Sequence, residues 1–402
     1  MYEGAPENLK RKISGVSIDS RKILANEIYF AIRGENHDGH DFVQEAFHKQ
    51  AVAAVVENQW WCHHRAHFKN RNVFVVEESI NALQELANFY RKKFSLPVIA
   101  LTGTNGKTTT KEMMAAVLAR LGNVCKTESN LNNHIGVPLT LLALNEQHKA
   151  LIVEMGANHF GEIARLCEIA EPQYGLITNI GHGHLEFFQN LEGVTKAKME
   201  LFEYLYPHGT AFINIDDPLI VKHAPAFMKC IKYGFRDEAR VIGKAMAPSE
   251  SGFARMMVQG QVIELNLRGN HNLSNALVAV AVGLEFGVSL QEIKTALAHV
   301  KLPGKRMEVF KRDKILVLND SYNANPDSTL AALEIVKQTT SPGKKIFVFG
   351  DMLELGDLAP AEHARIGKSL KNFGVDIFLA FGPQSAEAVR QAQNTSKNMI
   401  AK

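Results

Sequence analysis

Hydrophobic and polar positions divide the chain into three blocks. Residues 1–93 mix short apolar runs with helix-period segments, and the last such segment leads into Pro97. In residues 94–301, short continuous apolar runs alternate with helical stretches until a proline–glycine break at Pro303. Residues 302–402 return to apolar runs separated by helical stretches. The pattern predicts an α/β protein with a small mixed N-terminal domain, a central domain built on a parallel sheet and a C-terminal α/β domain.

Seven apolar runs have the length and composition of buried strands. They lie at 98–102, 150–154, 175–179, 211–214, 315–319, 345–349 and 377–381. Ligands of an open α/β sheet bind beyond the carboxyl ends of its strands, so polar residues that directly follow a strand are candidate site residues. Six polar clusters have this position, at 103–111, 155–158, 180–184, 216–217, 320–326 and 350–351. The pattern therefore predicts one active site assembled from several loops.

Composition and charge narrow the function classes. The 402 residues are 46% hydrophobic and 22% charged, with a formal net charge of +3, as in an ordinary globular protein. No basic run indicates a nucleic-acid or membrane partner. The four cysteines form no C-x-x-C pair, which disfavours a disulfide framework or a zinc site, and no apolar segment resembles a signal peptide or a membrane span. We expect a cytoplasmic protein.

The stretch 103–111 reads G-T-N-G-K-T-T-T-K and stands between a predicted strand and a predicted helix. Glycines let backbone N–H groups approach phosphate oxygens, Lys107 would neutralise phosphate charge, and Thr108 would reach Mg²⁺. The general pattern G-x-x-x-x-G-K-[ST] requires glycine at position 101, where this chain has Leu101. A tight strand–helix turn with a solvated lysine is the alternative, and the flanking strand and helix favour a phosphate-binding loop.

For several strand-end residues the sequence leaves chemical alternatives open. Glu154 ends a buried strand, where its carboxylate could bind a hard cation, cap the next helix or pair with a lysine or arginine. His184 follows another strand and could ligate a metal, but a hydrogen-bonded structural histidine is commoner, and His182 competes for the role. Lys198 has the character of an ordinary helix lysine, and its spacing gives no reason to prefer it to Lys196.

Four asparagines precede predicted helices. Asn272 and Asn275 open an apolar helical stretch, where Asn272 could cap the helix or contact a nucleotide base. Asn323 and Asn325 flank Ala324 directly before a proline, a context typical of a turn. Such a dense run of amides is also suited to recognising peptide or sugar groups.

These residues lie in motifs that resemble those of the Mur ligases, ATP-dependent enzymes of bacterial peptidoglycan synthesis. T-G-T-N-G-K-T-T-T-K-E-M (102–113) is similar to the shortened nucleotide loop of that family, which accounts for Leu101. Further stretches resemble the MurF branch. They are D-S-R-K (19–22), D-G-H-D-F (38–42), N-L-N-N-H-I-G-V-P-L-T-L-L (130–142), E-M-G-A (154–157), N-I-G-H-G-H-L-E (179–186), A-K-M-E (197–200), N-H-N-L-S-N-A (270–276), D-S-Y-N-A-N-P-D-S (320–328) and F-G-D-M-L-E-L-G (349–356). The motifs follow family order along most of the chain.

The resemblance implies a fold, a reaction and partners. The implied domains are a UDP-sugar-binding domain at 1–93, an ATP-binding P-loop domain at 94–301 and a Rossmann-like ligase domain at 302–402. The implied reaction joins D-alanyl-D-alanine to UDP-N-acetylmuramoyl-tripeptide (UDP-MurNAc-tripeptide) at the expense of ATP, through an acyl phosphate, in cytoplasmic peptidoglycan precursor synthesis. Two Mg²⁺ ions would assist, and the enzyme would act as a monomer without nucleic-acid or membrane partners.

The resemblance also implies roles for individual residues. The ATP phosphates would be held by Gly103, Thr104, Asn105, Gly106, Lys107, Thr108 and Thr109. The metal ligands would be Thr108, Glu154, His184 and Lys198, with Lys198 carbamylated by CO₂, and the last three would be catalytic together with Lys107. Asn272 and Asn275 would approach the adenine, and Arg306 and Asp320 the phosphates and ribose. The substrate-binding residues would be Ser20, Arg21, Asn132 and Asn133 for the nucleotide sugar, and Asn323 and Asn325 for the peptide or the dipeptide.

Two features depart from the family pattern. Only eighteen residues precede Asp19, and the chain contains no K-G-S-R element after its last predicted strand, so we expect shortened ends and an incomplete third domain.

Other functions compete with the one that the resemblance implies. A MurE-like ligase or a folylpolyglutamate synthetase would share the loop and the carboxylate chemistry. A non-catalytic nucleotide-binding protein is the alternative from another class.

Overall fold

The structure is a computed structural model, and it describes residues 1–4, 12–227, 229–340, 342–395 and 400–401. The first block comprises β1 (Tyr2–Glu3), β2 (Gly15–Ser17), β3 (Glu27–Phe30), α1 (Val43–His48), β4 (Ala53–Glu57), α2 (Asn58–His64), β5 (Val73–Val76) and α3 (Ser79–Arg91). Its five strands form one sheet in the order β1-β5-β4-β3-β2, in which only β1 runs antiparallel to its neighbour. Short 3₁₀ turns at Gly39–Phe42 and Arg65–Phe68 join these elements.

The central block carries the largest sheet. Its elements are β6 (Val98–Thr102), α4 (Lys107–Leu118), β7 (Asn123–Lys126), α5 (Gly136–Leu142), β8 (His148–Glu154), α6 (Glu162–Ala170), β9 (Tyr174–Ile177), α7 (Leu185–Phe188), α8 (Leu191–Leu205), β10 (Thr210–Asn214), α9 (Pro218–His223), β11 (Lys229–Gly234), β12 (Val241–Met246), β13 (Arg255–Val258), β14 (Gln261–Glu264), α10 (His271–Glu285) and α11 (Leu290–Leu297). The strand order is β14-β13-β12-β11-β10-β9-β6-β8-β7. All five residues of β6 are buried.

The third block contains two small sheets. Its elements are β15 (Glu308–Arg312), β16 (Ile315–Asn319), α12 (Pro326–Gln338), β17 (Ile346–Gly350), α13 (Ala359–Ser369), β18 (Ile377–Phe381), α14 (Ser385–Thr395) and β19 (Ile400–Ala401), with 3₁₀ turns at Gly356–Leu358 and Leu370–Phe373. Strands β15 and β16 pair antiparallel, and β17, β18 and β19 form a parallel sheet. No helix in the described part of the chain is both long and apolar enough to cross a bilayer.

Sequence reasoning located the seven predicted strands correctly, to within a few residues at their ends, but the central sheet is not parallel throughout. Strands β7 to β12 run parallel, whereas β12, β13 and β14 form an antiparallel edge. Residues in this edge alternate between buried and more exposed positions, as in a sheet with one solvated face, so they lack the continuous apolar runs that reveal buried strands.

Strand β6 fixes the position of the site. It lies between β8 and β9, and the chain leaves it towards β7 and β8 on one side before it returns to β9 on the other. The strand order therefore reverses at β6, and the loop after such a strand opens into a crevice that suits ligand binding. The segment 103–106 occupies this crevice.

Candidate active site

The loop between β6 and α4 has the backbone of a phosphate cradle. Gly103 and Gly106 have φ angles of 145° and 80°, in the region that favours glycine, and Gly106 stands at the N-cap of α4. The Lys107 ammonium folds back onto the loop and donates to the carbonyl oxygens of Gly103 at 2.8 Å and Thr104 at 3.1 Å. Backbone N–H groups at the start of α4 and the helix dipole favour an anion at this point.

The residues after β9 hold this loop in place. Thr178 Oγ1 and Asn179 Nδ2 both donate to the carbonyl oxygen of Asn105, at 2.7 and 2.9 Å. Asn179 Oδ1 accepts from the Asn105 N–H at 3.0 Å. The loop is therefore held by residues that follow a neighbouring strand, and a loop held in one conformation binds a ligand at a lower entropy cost.

Replacing Gly103 with alanine should destabilise the protein. The new Cβ would lie 2.0 Å from Thr178 Oγ1, at a φ angle that an alanine rarely adopts. Gly161→Ala is the matched control, because Gly161 also has a positive φ but a Cβ there meets nothing within 4 Å. We expect Gly103→Ala to lose about 2 kcal/mol more of the free energy of unfolding than Gly161→Ala, measured by urea denaturation. Equal losses in the two variants would contradict the packing described here.

Glu154 lies at the end of β8, next to the first turn of α4. Its Oε1 accepts from Thr108 Oγ1 at 3.3 Å and from Asn132 Nδ2 at 3.0 Å. Its Oε2 is buried and has no hydrogen-bond donor. A buried carboxylate oxygen without a donor is an uncommon feature, and it suits a cation ligand.

His184 is the last residue of the loop between β9 and α7, where it stands at the N-cap of α7 with a left-handed backbone at φ 56°. Its Nδ1 lies 2.6 Å from Oε2 of Glu354, but without hydrogen-bonding geometry. Burial, together with the ammonium groups of Lys107 and Lys198, lowers the pKa of His184 to about 4. The imidazole is therefore neutral near pH 7, the form that can ligate a metal.

The structure distinguishes Lys198 from Lys196, which sequence spacing could not do. Lys198 lies on the inner face of α8 and is 1% exposed, and its Nζ has no hydrogen-bond partner. Lys196 is exposed and lies over the ring of Phe160. Burial, with a contribution from Lys107, lowers the pKa of Lys198 to about 7.

His182, the alternative to His184 as a metal ligand, contacts Asp327. Its backbone N–H donates to Asp327 Oδ2 at 2.8 Å.

Asn272 and Asn275 are buried in the first turns of α10. Asn275 Oδ1 accepts from Thr110 Oγ1 at 3.2 Å, and its Nδ2 donates to Asn272 Oδ1 at 3.2 Å. Asn272 does not cap the helix, because Asn270 holds the N-cap position. Its Nδ2 donates to the Arg268 carbonyl oxygen at 2.8 Å. The two amides thus connect α10 to α4 beside the phosphate loop.

The third block reaches the phosphate loop through its segment 320–328. The side-chain amides of Asn325 and Asn105 exchange hydrogen bonds of 2.7 and 3.3 Å. Asn325 Oδ1 also accepts from the Ser328 N–H and caps α12. Asn323 is exposed, and its Oδ1 accepts from the Ala324 N–H at 3.0 Å, a local contact typical of a turn. Residues of two blocks therefore meet directly at the loop.

Arg306 and Asp320 lie near each other in the third block. Arg306 lies between two residues with left-handed backbones, Lys305 and Met307, and its guanidinium carbon is 3.8 Å from the ring centroid of Tyr322. Asp320 Oδ1 accepts from the Met307 N–H at 2.9 Å, and burial raises the pKa of Asp320. Arg306 Nε is buried without a partner, which leaves a donor for an anionic ligand.

The residues predicted to bind the nucleotide sugar lie in two blocks: Ser20 and Arg21 in the first, and Asn132 and Asn133 in the central one. Ser20 is buried and donates to Glu45 Oε2 at 3.0 Å, and exposed Arg21 pairs with Asp19 at 2.9 Å, so both bond within the first block. Asn132, as described, contacts Glu154. Asn133 Oδ1 accepts from the Gly136 N–H at 2.9 Å, at the start of α5.

Two of the predicted metal donors, the Glu154 carboxylate and the Thr108 hydroxyl, are in contact and offer oxygen ligands that suit a hard cation. Burial together with the charge of Lys107 lowers the pKa of the half-buried His184 imidazole and of the buried Lys198 amine. Within the ranges that the structure describes, no three His, Cys, Asp or Glu side chains cluster as a metal site. Hard cations such as Mg²⁺ keep several waters and phosphate oxygens as ligands, so few protein donors suffice.

Sequence reasoning missed several residues that the structure brings to the site. Asn179, Asp327 and Glu354 lie within quoted motifs but had no assigned role, although Asn179 has the strand-end position that marks a candidate. Lys111 is fully buried, which nothing in its sequence context indicates.

Comparison with known proteins agrees with these motifs. Models of the Mur ligase family match three segments: the "Mur ligase family, catalytic domain" at residues 12–91, the "Mur ligase middle domain" at 101–283 and the "Mur ligase, glutamate ligase domain" at 305–401. A Bacillus subtilis protein, UDP-N-acetylmuramoyl-tripeptide–D-alanyl-D-alanine ligase, is 35% identical over 384 residues, which are 95% of this chain and 82% of that protein.

Solved structures give the same relationship. A crystal structure of MurF from Acinetobacter baumannii superposes with a TM-score of 0.87 at 31% identity, covering 98% of this chain and 84% of that one. MurF from Thermotoga maritima in complex with ADP superposes with a TM-score of 0.83 at 28% identity, covering 98% and 89%. The chain therefore belongs to the Mur ligase family, in its MurF branch.

Proposed function

We propose that this protein is an ATP-dependent ligase that joins D-alanyl-D-alanine to UDP-MurNAc-tripeptide in cytoplasmic peptidoglycan precursor synthesis. One observation carries the proposal: the 320–328 segment of the third block bonds to the phosphate loop through Asn325 and Asn105. An activated carboxylate formed at the loop and an acceptor held by the third block would thus meet at one place. The printed name of the relative from B. subtilis supports the choice of substrates.

Each domain would contribute a different part of the binding site. Residues 1–93 would bind the UDP-sugar with Ser20 and Arg21, residues 94–301 would bind ATP, and the Rossmann-like residues 302–402 would complete the site. Asn132 and Asn133 would contribute to the sugar side, and Asn323 and Asn325 to the peptide or the dipeptide. The enzyme would act as a monomer in the cytoplasm.

The phosphate loop would hold the triphosphate of ATP. Backbone N–H groups of residues 103–109 and the Lys107 ammonium would surround the phosphates, because Lys107 needs only to exchange its two carbonyl contacts for phosphate oxygens. Asn272 and Asn275 would lie beside the adenine, and Arg306 and Asp320 would contact the phosphates and ribose. The unpaired Nε of Arg306 supports this assignment.

Mg²⁺ would be held by Thr108, Glu154, His184 and Lys198, and two ions would offset the charge of the phosphates and the substrate carboxylate. Lys198 would take part as a carbamate. Its amine is buried and has no hydrogen-bond partner, and a neutral amine is the form that adds to CO₂. The resulting carbamate would be an anion that Mg²⁺ can pair with, whereas a free ammonium at this position has no hydrogen-bond acceptor.

The reaction would proceed in two displacements. The terminal carboxylate of the tripeptide attacks the γ-phosphorus of ATP, which releases ADP and leaves an acyl phosphate. The amine of the dipeptide then attacks the acyl carbon, loses a proton, and expels phosphate as the amide forms. Lys107 would stabilise the charge that builds up on the transferred phosphoryl group. Closure of the third block over the loop would keep water from the acyl phosphate.

ADP release should require both co-substrates. The purified chain, given ATP and Mg²⁺, should release ADP steadily only when UDP-MurNAc-tripeptide and D-alanyl-D-alanine are both present, measured in a coupled assay. Omission of the dipeptide should leave at most a single turnover, because the acyl phosphate then has no acceptor. Release that is independent of either co-substrate, or no release in the complete mixture, would reject the ligase function.

A further inference from the structure

Lys111 is a buried lysine to which the proposed reaction gives no role. It lies on α4, one turn beyond Thr108, and its side chain is 0% exposed. Its Nζ donates to the Thr127 carbonyl oxygen at 2.6 Å. The same Nζ lies 3.5 Å from Glu154 Oε2 and 3.5 Å from Glu112 Oε1. Burying an ammonium group is costly unless it is paired and hydrogen-bonded, so these contacts account for its presence in the core.

Four charged side chains of alternating sign lead from the surface to the site. Lys126 contacts Glu112, Glu112 contacts Lys111, and Lys111 contacts Glu154. The exposed fractions of their side chains are 25%, 11%, 0% and 3% in that order. Of the two lysines, only Lys111 contacts Glu154. The effects of replacing Lys111 and Lys126 can therefore be compared.

Lys111, Thr127 and Glu154 form a closed unit. Thr127 accepts from Lys111 through its carbonyl oxygen, and its Oγ1 accepts from the Glu154 N–H at 3.0 Å. Thr108 and Asn132 fix Oε1 of Glu154, while Lys111 opposes the charge on Oε2. The 3.5 Å contact is not a hydrogen bond, so Oε2 is held in place and keeps its lone pairs for another ligand.

We propose that Lys111 is a positioning residue that holds the Glu154 carboxylate in the orientation needed to bind the cation. The inference rests on the proposed role of Glu154 as a metal ligand. Partners behind a metal ligand typically change metal affinity by about 10- to 100-fold when they are removed. A lysine with a purely structural role would affect folding and leave cation affinity unchanged.

The test measures Mn²⁺ binding to the full chain in the presence of ADP, from the electron paramagnetic resonance signal of free Mn²⁺. Lys111→Met should weaken Mn²⁺ binding by about 10- to 100-fold. Lys126→Met, the matched control, removes the other lysine that contacts Glu112 and should leave Mn²⁺ affinity within about twofold. In the ligation assay, Lys111→Met should raise the Mg²⁺ concentration for half-maximal rate more than it lowers the rate at saturating Mg²⁺.

Glu154→Gln separates this inference from the function it rests on. If Glu154→Gln leaves Mn²⁺ affinity unchanged, the assignment of Glu154 as a ligand fails. If Glu154→Gln loses Mn²⁺ but Lys111→Met stays within twofold of the parent, only the role of Lys111 is overturned. Equal weakening of Mn²⁺ binding by Lys111→Met and Lys126→Met would also overturn the role of Lys111, because the loss would then come from removing any nearby positive charge.

A second variant covers the case in which Lys111→Met does not fold. Lys111→Gln keeps a donor for the Thr127 carbonyl oxygen but removes the charge, and it should show the same loss of Mn²⁺ affinity. In the Glu154→Gln background, Lys111→Met should cause no further loss of Mn²⁺ affinity, because the carboxylate it positions is gone. A further loss in that background would contradict the proposed pathway through Glu154.

Discussion

Replacing Lys107 with methionine should lower kcat/KM for ligation by about 100- to 1000-fold while the protein stays folded. The Lys107 ammonium now bonds to two loop carbonyl oxygens, and it is the cation best placed to meet the phosphates of ATP. Most of the loss should fall on kcat, because charge on the transferred phosphoryl group is largest in the transition state. Steady-state kinetics with saturating dipeptide would measure both constants.

Lys126→Met provides the control for this change, because it makes the same substitution at a lysine on β7 that contacts Glu112. Its kcat/KM should stay within a few-fold of the parent. A Lys107→Met enzyme with kcat/KM within tenfold of the parent, and an unchanged circular dichroism spectrum, would contradict the role of the loop.

Replacing Lys198 with alanine should lower kcat by about 100-fold or more, and added acetate or formate should restore part of the rate. The side chain is buried and its amine has no hydrogen-bond partner, so its removal opens a cavity where a small carboxylate can take the place of the carbamate. With ¹³C-bicarbonate, the parent should show a carbamate signal by NMR that Lys198→Ala lacks.

Lys196→Ala is the matched control on the same helix, because Lys196 is exposed over Phe160. It should keep both full activity and the carbamate signal. Undiminished activity of Lys198→Ala in bicarbonate-depleted buffer would show that the carbamate has no part in catalysis.

The fold and the loop could be predicted from the sequence because their signals are local. Strand β6 is a continuous apolar run, and glycines with a lysine follow it directly, so both the element and its chemistry lie within about ten residues. The prediction of a three-domain α/β fold of the Mur type is confirmed. The domain boundaries near 93 and 301 and the roles of individual site residues stay predictions.

Burial and contacts between blocks could not be predicted, because they depend on residues distant in sequence. Lys198 and Lys196 look alike along the chain, and only the packing of α8 buries one of them. Asn105 and Asn325 are 220 residues apart, so no local pattern relates them. Without the family resemblance, residue spacing would have treated Lys198 as an ordinary surface lysine.

The central claim is that this chain uses ATP to attach D-alanyl-D-alanine to UDP-MurNAc-tripeptide through an acyl phosphate. Mass spectrometry can test it in one mixture containing the tripeptide substrate with an ¹⁸O-labelled terminal carboxylate, ATP, Mg²⁺ and equal amounts of D-alanyl-D-alanine, diaminopimelate, lysine and glutamate. We predict a UDP-sugar product extended by the dipeptide alone, with one ¹⁸O atom in the released phosphate. Extension by another acceptor, or phosphate without ¹⁸O, would contradict the account.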